Sequence, residues 1–380
     1  MSAETVFFGP GFVDASTLRR GLVAFVESRD DFDFYVVNLL GAGFDNIDLQ
    51  YFHRYGCPSY PVDLLRNFAA DAGRFLQATK VPKIVILIGQ DSYALSEQKA
   101  NWMASLDGYM IAWAGGFSRP LDQLEVLTKE DFYRRKAGPD LSRPKAVFGR
   151  WHEVVSQHEH RFINLGHFLA ETEFNWTALD GRRDGVIVPG QMYVRREAAR
   201  QTLAASKLLT RSGRFKFLMS VLDHSGFKPY SRPLLHSIYN KTFTNAIGSV
   251  RYAYTDGYGY DRPARKFFEI PGLGTVMLCT PCAGFSDLGF DDRKHAMIVA
   301  PEDVLDAVQW LEGNPEAAQE IASAGRKLIW DKHSLRARAE QLSRCLTSIK
   351  AGRYAGSRWQ GGEFVVTEKS DHAEASAVNQ

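Results

Sequence analysis

Long apolar runs are missing from this chain. None of its 380 residues lies in an uninterrupted apolar stretch approaching the roughly 18–20 residues that cross a bilayer, so no transmembrane helix is expected. The opening residues, MSAETVFFGPG, carry neither a cationic start nor a long apolar segment, a pattern that predicts a cytoplasmic protein. Cysteine is scarce: Cys57, Cys279, Cys282 and Cys345 are scattered, as suits a reducing compartment. The spacing Cys279-Thr280-Pro281-Cys282 has no second pair to complete a zinc site and does not follow a first strand as a thioredoxin-like motif would, so these thiols read as packing residues. Net charge is also small, at +2, too small by itself to argue for nucleic acid or a membrane surface, and no nucleic-acid partner is expected. Finally, no Asp-x-Asp pair stands at the end of a predicted strand, so chemistry on a phosphorylated substrate would have to manage without a divalent metal held in that way.

What is present is an ordinary globular composition, 45% hydrophobic and 24% charged, in a chain long enough for two domains with separate cores. Short apolar runs at 5–8, 32–40, 84–88 and 109–113 alternate with amphipathic segments, predicting strands between helices and hence a doubly wound parallel sheet. Ligands of such sheets lie beyond the carboxyl ends of the strands, which selects Gly9 and Gly11, the loop 89–92 and the loop 115–119 as mouth-lining. Asp14 and Asp91, in or beside these loops, are the candidate catalytic bases, with cap or turn roles as the ordinary alternative. The stretch 121–136 looks helical and polar, and 136–144 reads as an exposed connection. Between 151 and 174 the chain gathers His152, His158, His160 and His167 with Glu153, Glu159, Glu171 and Glu173. No spacing there matches a zinc pattern, so the cluster reads as surface and hinge residues. A second alternating series follows, with strands expected at 186–188, 216–222, 250–254, 275–279 and 296–300. Helices are expected at 194–209, 231–247 and 301–311, and as a pair over 315–349. The last thirty residues lose periodicity and gain glycine, serine and charge, predicting a mobile tail.

Chemistry concentrates in 251–290. Asp256-Gly257-Tyr258-Gly259 is a glycine loop where a parallel strand would deliver its carboxyl end, and free backbone N–H groups there suit an anion. Arg262, Arg265 and Lys266 add cations able to meet phosphate. Glu269 follows about one helical turn later, and an ionised carboxylate in such a place can accept from two vicinal sugar hydroxyls. The plainer alternative is a turn followed by one solvated helix face.

The run Arg265-Lys266-Phe267-Phe268-Glu269, continuing through Gly272, Gly274 and Leu278, resembles the basic-Phe-Glu-Gly-Leu run in the nucleotide-sugar half of GT-B glycosyltransferases. The resemblance is to the group typified by spore-maturation CgeB-like proteins. It continues through Gly289-Phe290, Pro301-Glu302-Asp303-Val304, Asn314-Pro315-Glu316 and His333-Ser334, in order over roughly 186–342. Pro189-Gly190-Gln191-Met192-Tyr193-Val194-Arg195-Arg196 resembles the G-x-x-Y-x-x-R element of the same group.

The resemblance implies two Rossmann-like domains facing a cleft: residues 1–170 as the acceptor domain and 171–350 as the donor domain, with 351–380 as a flexible tail. It implies that Glu269 binds the donor ribose and that Arg196 and Tyr193 face the cleft. In the retaining subset a further acid contacts the donor sugar; by spacing it falls on Asp261, by wording on Asp256. The implied activity is transfer of a sugar from a nucleotide-sugar, the donor substrate, to a saccharide or glycoconjugate acceptor, with no cofactor and no metal. A nucleotide-sugar epimerase of the same fold, or a non-catalytic sugar-nucleotide-binding module, would keep the same pocket.

Overall fold

A computed structural model of the chain describes residues 159–369, apart from 164, 170, 191–193, 211–232, 258–262 and 283, and before residue 159 the strands alone. The chain is α/β. Its strands are, in order, β1 (Asp33–Asn38), β2 (Phe52–Arg54), β3 (Lys83–Ile88), β4 (Tyr109–Ala112), β5 (Glu125–Leu127), β6 (Ala146–Phe148) and β7 (Phe162–Ile163) in the first part. These are followed by β8 (Arg183–Ile187), β9 (Val250–Thr255), β10 (Val276–Cys279) and β11 (Met297–Ile298). One five-stranded sheet runs β2-β1-β3-β4-β7, parallel except where β2 pairs antiparallel with β1. After Lys83 the rest of β3, IVILI, is an unbroken apolar run, the sequence pattern of a central parallel strand. The segment expected to be helical over 121–136 instead contains β5, which pairs parallel with β6. Three residues are too few for a period of two to be read, and the tertiary partner, not local propensity, decides the conformation.

The second sheet, β11-β10-β9-β8, is wholly parallel. Alternation along its strands feeds two cores. Tyr252, Tyr254, Val276 and Leu278 pack to one side with Leu311 and Ile321, while Ala253, Met277 and Cys279 pack to the other with Phe267, Ile270 and Leu342. The helices are α1 (Val194–Ala205), α2 (Pro233–Gly248), α3 (Lys266–Gly272), α4 (Val304–Gly313), α5 (Pro315–His333) and α6 (Leu335–Lys350). Among the described residues no helix is long and apolar enough to cross a membrane.

Gly325 sits in the middle of α5, where an added Cβ would lie 2.6 Å from the carbonyl oxygen of His295 and 3.1 Å from Pro271 Cβ. In an exposed helix alanine is preferred to glycine by about 1 kcal/mol. Here the close backbone reverses the sign, and Gly325→Ala is expected to cost about 1–3 kcal/mol in urea unfolding. An unchanged or raised midpoint would refute this.

The tail expectation is corrected over 354–368. Strands β12 (Tyr354–Gln360) and β13 (Glu363–Glu368) form an antiparallel hairpin. Gly361 and Gly362 have φ of 56° and 83°, the left-handed pair demanded by a two-residue hairpin turn. Burial of Tyr354, Trp359 and Phe364 offsets the ordering entropy that composition alone suggested would prevail. Tyr354 Oη donates to the carbonyl of Phe162 at 2.5 Å, tying the hairpin to β7. On its other side Trp359 lies 4.6 Å, centroid to centroid, from the ring of His333.

His333 and Arg338 are both fully buried. Arg338 donates to the carbonyls of His167 and Lys332 and to Gln341 Oε1, and its Nη2 lies 2.7 Å from His333 Nδ1. The other ring nitrogen lies 2.8 Å from the carbonyl of Leu288, so Nε2 donates and Nδ1 accepts from the guanidinium. The ring is therefore neutral. Burial, then the positive charge of Arg338, hold its pKa well below the ordinary histidine value. Because the unfolded chain binds a proton near pH 6.5 that the fold refuses, this contribution is complete above that pH and is lost as pH falls below it. The urea midpoint is expected to drop between pH 7 and pH 5, and to drop less in His333→Gln. Equal slopes for the two proteins would rule the assignment out.

Candidate functional site

Beyond the carboxyl ends of β8 and β9 the loop at Gly190, the start of α1 and the loop at Asp256 converge. Arg196, in the first turn of α1, is fully buried and places Nε 2.7 Å from Asp256 Oδ1. Its Nη2 also donates to Thr255 Oγ1 at 3.1 Å and to the carbonyl of Asp256 at 3.0 Å. Thr255 is the last residue of β9, so this arginine closes the strand's end and fixes the start of the loop that follows. Asp256 and Gly257 are buried with it. Gly190, beyond β8, has φ of +94°, and a Cβ there would meet Arg196 Nη1 at 3.0 Å and Lys266 Cε at 3.5 Å. Only a residue without a side chain lets the β8 loop pass between the two cations.

The second cluster is on α3. Lys266 Nζ lies 2.7 Å from Glu269 Oε2, and Arg265 Nε lies 2.9 Å from Oε1, the i,i+3 and i,i+4 partners available on a single helical turn. Arg265 Nη2 reaches Glu173 Oε1 at 2.7 Å, and Lys266 Nζ stands 4.4 Å above the ring of Phe243. Glu269 is 3% exposed. Burial alone would raise the pKa of its carboxyl, but Lys266 and Arg265 outweigh it and hold the group below its ordinary value. The site thus offers an ionised carboxylate and a lysine at the mouth of a parallel sheet, where fixed charge can meet hydroxyls and phosphate.

Of the sequence candidates, the structure brings Arg196, Asp256, Gly257, Lys266 and Glu269 into this region. Arg196 was expected to face a cleft; it is instead enclosed and committed to Asp256, because removing either charge from water requires the other. Tyr193, Tyr258, Gly259, Asp261, Arg262, Gly9, Gly11, Asp14 and Asp91 lie outside the described residues. So do the side chains of His152 and His158. Sequence reasoning did not find that Glu173 anchors Arg265, nor that Thr255 and Phe243 belong to the site; Gly190 it had only as part of the G-x-x-Y-x-x-R element. Gly190 directly after Pro189, just before a helix, was the one local signal available.

Residues 230–344 match the family model described as "Glycosyl transferase-like", a span that contains β9, the Lys266–Glu269 cluster, β10 and most of α6. Among the curated proteins no sequence matches significantly. Among solved structures, the chain is similar to Anabaena HepE in complex with UDP-glucose, with 8% identity, a TM-score of 0.43, and coverage of 76% of this chain and 84% of that one. A glycosyltransferase from Rickettsia africae has 12% identity and a TM-score of 0.40 over 77% of this chain and 82% of its own. Sucrose-phosphate synthase from Thermosynechococcus elongatus has 12% identity and a TM-score of 0.42 over 75% and 72%.

Proposed function

We propose that this chain is a glycosyltransferase that moves a sugar from a nucleotide-sugar to a saccharide or glycoconjugate acceptor, within the CgeB-like group of the GT-B fold. The observation that carries the reading is the coincidence of the family match with a buried, ionised Glu269 flanked by Lys266 at the carboxyl ends of parallel strands. In this reading Glu269 accepts from the donor's ribose hydroxyls. Lys266, with Arg262 and the amides after Gly257, faces the diphosphate. The Arg196–Asp256 pair positions the loop that carries those amides. Residues 171–350 form the donor half, residues 1–170 bring the acceptor and the base, for which Asp14 and Asp91 are the candidates, and the protein works in the cytoplasm.

The test is release of nucleoside diphosphate from a panel of nucleotide-sugars, without and with saccharide acceptors. Release that depends on acceptor supports transfer, while interconversion of the sugar without release would identify an epimerase. Binding alone would identify a non-catalytic module. A cognate nucleotide at about 100 times its Kd should add about 2.7 kcal/mol of stability in a thermal-shift panel.

In this reading Lys266 and Arg262 supply the charge on the leaving diphosphate that a magnesium ion would otherwise bring. Transfer is therefore expected to survive EDTA. Loss of turnover on chelation, with recovery on adding magnesium or manganese, would refute that role for Lys266 and Arg262.

A further inference from the structure

Trp176 is 58% exposed, more than any other large hydrophobic side chain among the described residues. A single exposed indole is ordinary on a protein surface; what sets this one apart is that it is held in place beside a cavity. The ring is not loose. It packs nearly parallel to Phe174 at 6.1 Å and 20°, takes the edge of Trp330 at 5.4 Å, and carries the Arg326 guanidinium 4.6 Å from its centroid. Arg326 also donates to the carbonyl of Asn175, fixing the segment against α5.

Two residues further on, the same segment enters a cavity of about 550 Å³, within the usual range for small-ligand sites. Its walls are the turn at Leu179–Gly181, the first residues of β9 and the first turns of α5. Asp180, Glu316 and Glu320, all exposed, are among its lining residues, and Tyr252 and Arg251 line the strand side. Gln319 braces the wall, accepting from the Leu179 amide at 2.9 Å and donating to Ser323 Oγ at 2.9 Å. Glu316, Glu320, Ser323, Arg326 and Trp330 follow one another at intervals of three or four, so cavity and indole share one face of α5, about 9 Å apart from Glu320 to Arg326.

We propose that this face is a second saccharide-binding site, in which Trp176 stacks on a neutral sugar ring and the carboxylates of Asp180, Glu316 and Glu320 accept from hydroxyls of the same glycan. A flat aromatic surface beside acceptor-only oxygens is the complement of a pyranose, with its apolar C–H face and its rim of donors. Nucleic acid or an anionic lipid would meet three carboxylates, and the one cation lining the cavity, Arg251, already lies 3.1 Å from Asp184. An apolar polypeptide would have to bury those carboxylates unpaired. The site is separate from the donor pocket: it opens at the start of β9, and Asp256 lies about 16 Å away, past the other end of that strand. The binding claim stands by itself. Its use rests on the proposed function: an acceptor chain held here stays near the transfer centre between turnovers, at a raised effective concentration.

The test is calorimetric titration of the full chain with maltohexaose, cellohexaose and laminarihexaose as probes, using the parent protein, Trp176→Ala and Glu269→Gln. At least one hexaose is expected to bind, at least tenfold more weakly to Trp176→Ala and equally to Glu269→Gln, without displacement by saturating uridine diphosphate. Trp176→Ala gives up the ring's contacts with Phe174, Trp330 and Arg326, so its melting temperature is measured alongside and every titration is run well below it. The proposal is overturned if none of the three hexaoses binds, if Trp176→Ala binds as the parent does, or if uridine diphosphate displaces the glycan. It is equally overturned if sedimentation finds a self-association that Trp176→Ala abolishes, which would give the face to a second copy. Retained glycan binding in a protein with no transferase activity would refute the proposed function and leave this site standing.

Discussion

Replacing Arg196 by alanine is expected to cost about 3–5 kcal/mol of stability, because it breaks a fully buried ion pair with Asp256. Both side chains are fully buried, and the pair ties the start of α1 to the end of β9. The measurement is urea unfolding of the full chain, with the slope compared between variants to show that the cooperative unit is unchanged. A variant carrying both Arg196→Met and Asp256→Asn is expected to recover most of the loss, since neither charge is then stranded. If Arg196→Ala unfolds at the parent midpoint, or the double variant is no better than the single, the pair is not the clasp described. Arg196→Lys keeps the charge but loses the fork that reaches Oδ1, Thr255 Oγ1 and the Asp256 carbonyl together, and is expected to recover only part.

The second large effect concerns Glu269. Glu269→Gln preserves shape and removes the charge, so donor kcat/KM is expected to fall about 10–150-fold, the kinetic equivalent of roughly 1.5–3 kcal/mol for a hydrogen bond to a charged group. The loss should appear mainly in KM, because a ribose contact is made equally in the ground state and the transition state. Lys266→Ala should act in the other parameter, kcat, since charge on the leaving diphosphate grows as the bond breaks. Nucleotide affinity unchanged in Glu269→Gln would remove the basis of the donor assignment. Stability is expected to fall as well, because Lys266 and Arg265 lose the carboxylate that both contact. Kinetics are therefore read at a temperature well below unfolding.

The elements that could be read from the sequence were those whose signal is local. VRYAYT and VMLC are short apolar runs bounded by loop residues, and they became β9 and β10 within a residue of their expected limits. The two final helices carry an unbroken 3.6 period and were equally plain. Glu269 was found because a carboxylate beside two cations and a glycine loop is an anomaly visible in order along the chain. What could not be read was pairing at a distance. Arg196 and Asp256 are 60 positions apart, and Glu173 and Arg265 are 92, and no period connects them. The hairpin at 354–368 was legible in principle: Gly361-Gly362 between aromatic-bearing segments is a turn signal, but the glycine was weighed as composition and not as position. Its stability comes from Trp359 meeting His333 and Tyr354 meeting Phe162, contacts that lie far outside any local window.

That last contact sets a timetable for synthesis. The carbonyl that Tyr354 seeks belongs to a residue 192 positions earlier, so at about 5–20 residues per second the ribosome completes Phe162 roughly 10–40 s before its partner exists. During that interval the edge of β7 lacks its tie, and for roughly its last 1–5 s the newly made ring of His333 lacks the indole, 26 residues further on, that will cover it. The nascent chain therefore passes through a stage in which most of both sheets has been made while an aromatic seam stands open to other chains. A transcript truncated after α6 would hold the protein at that stage permanently, and its product would be a client for chaperones and proteases, not a slightly shorter enzyme.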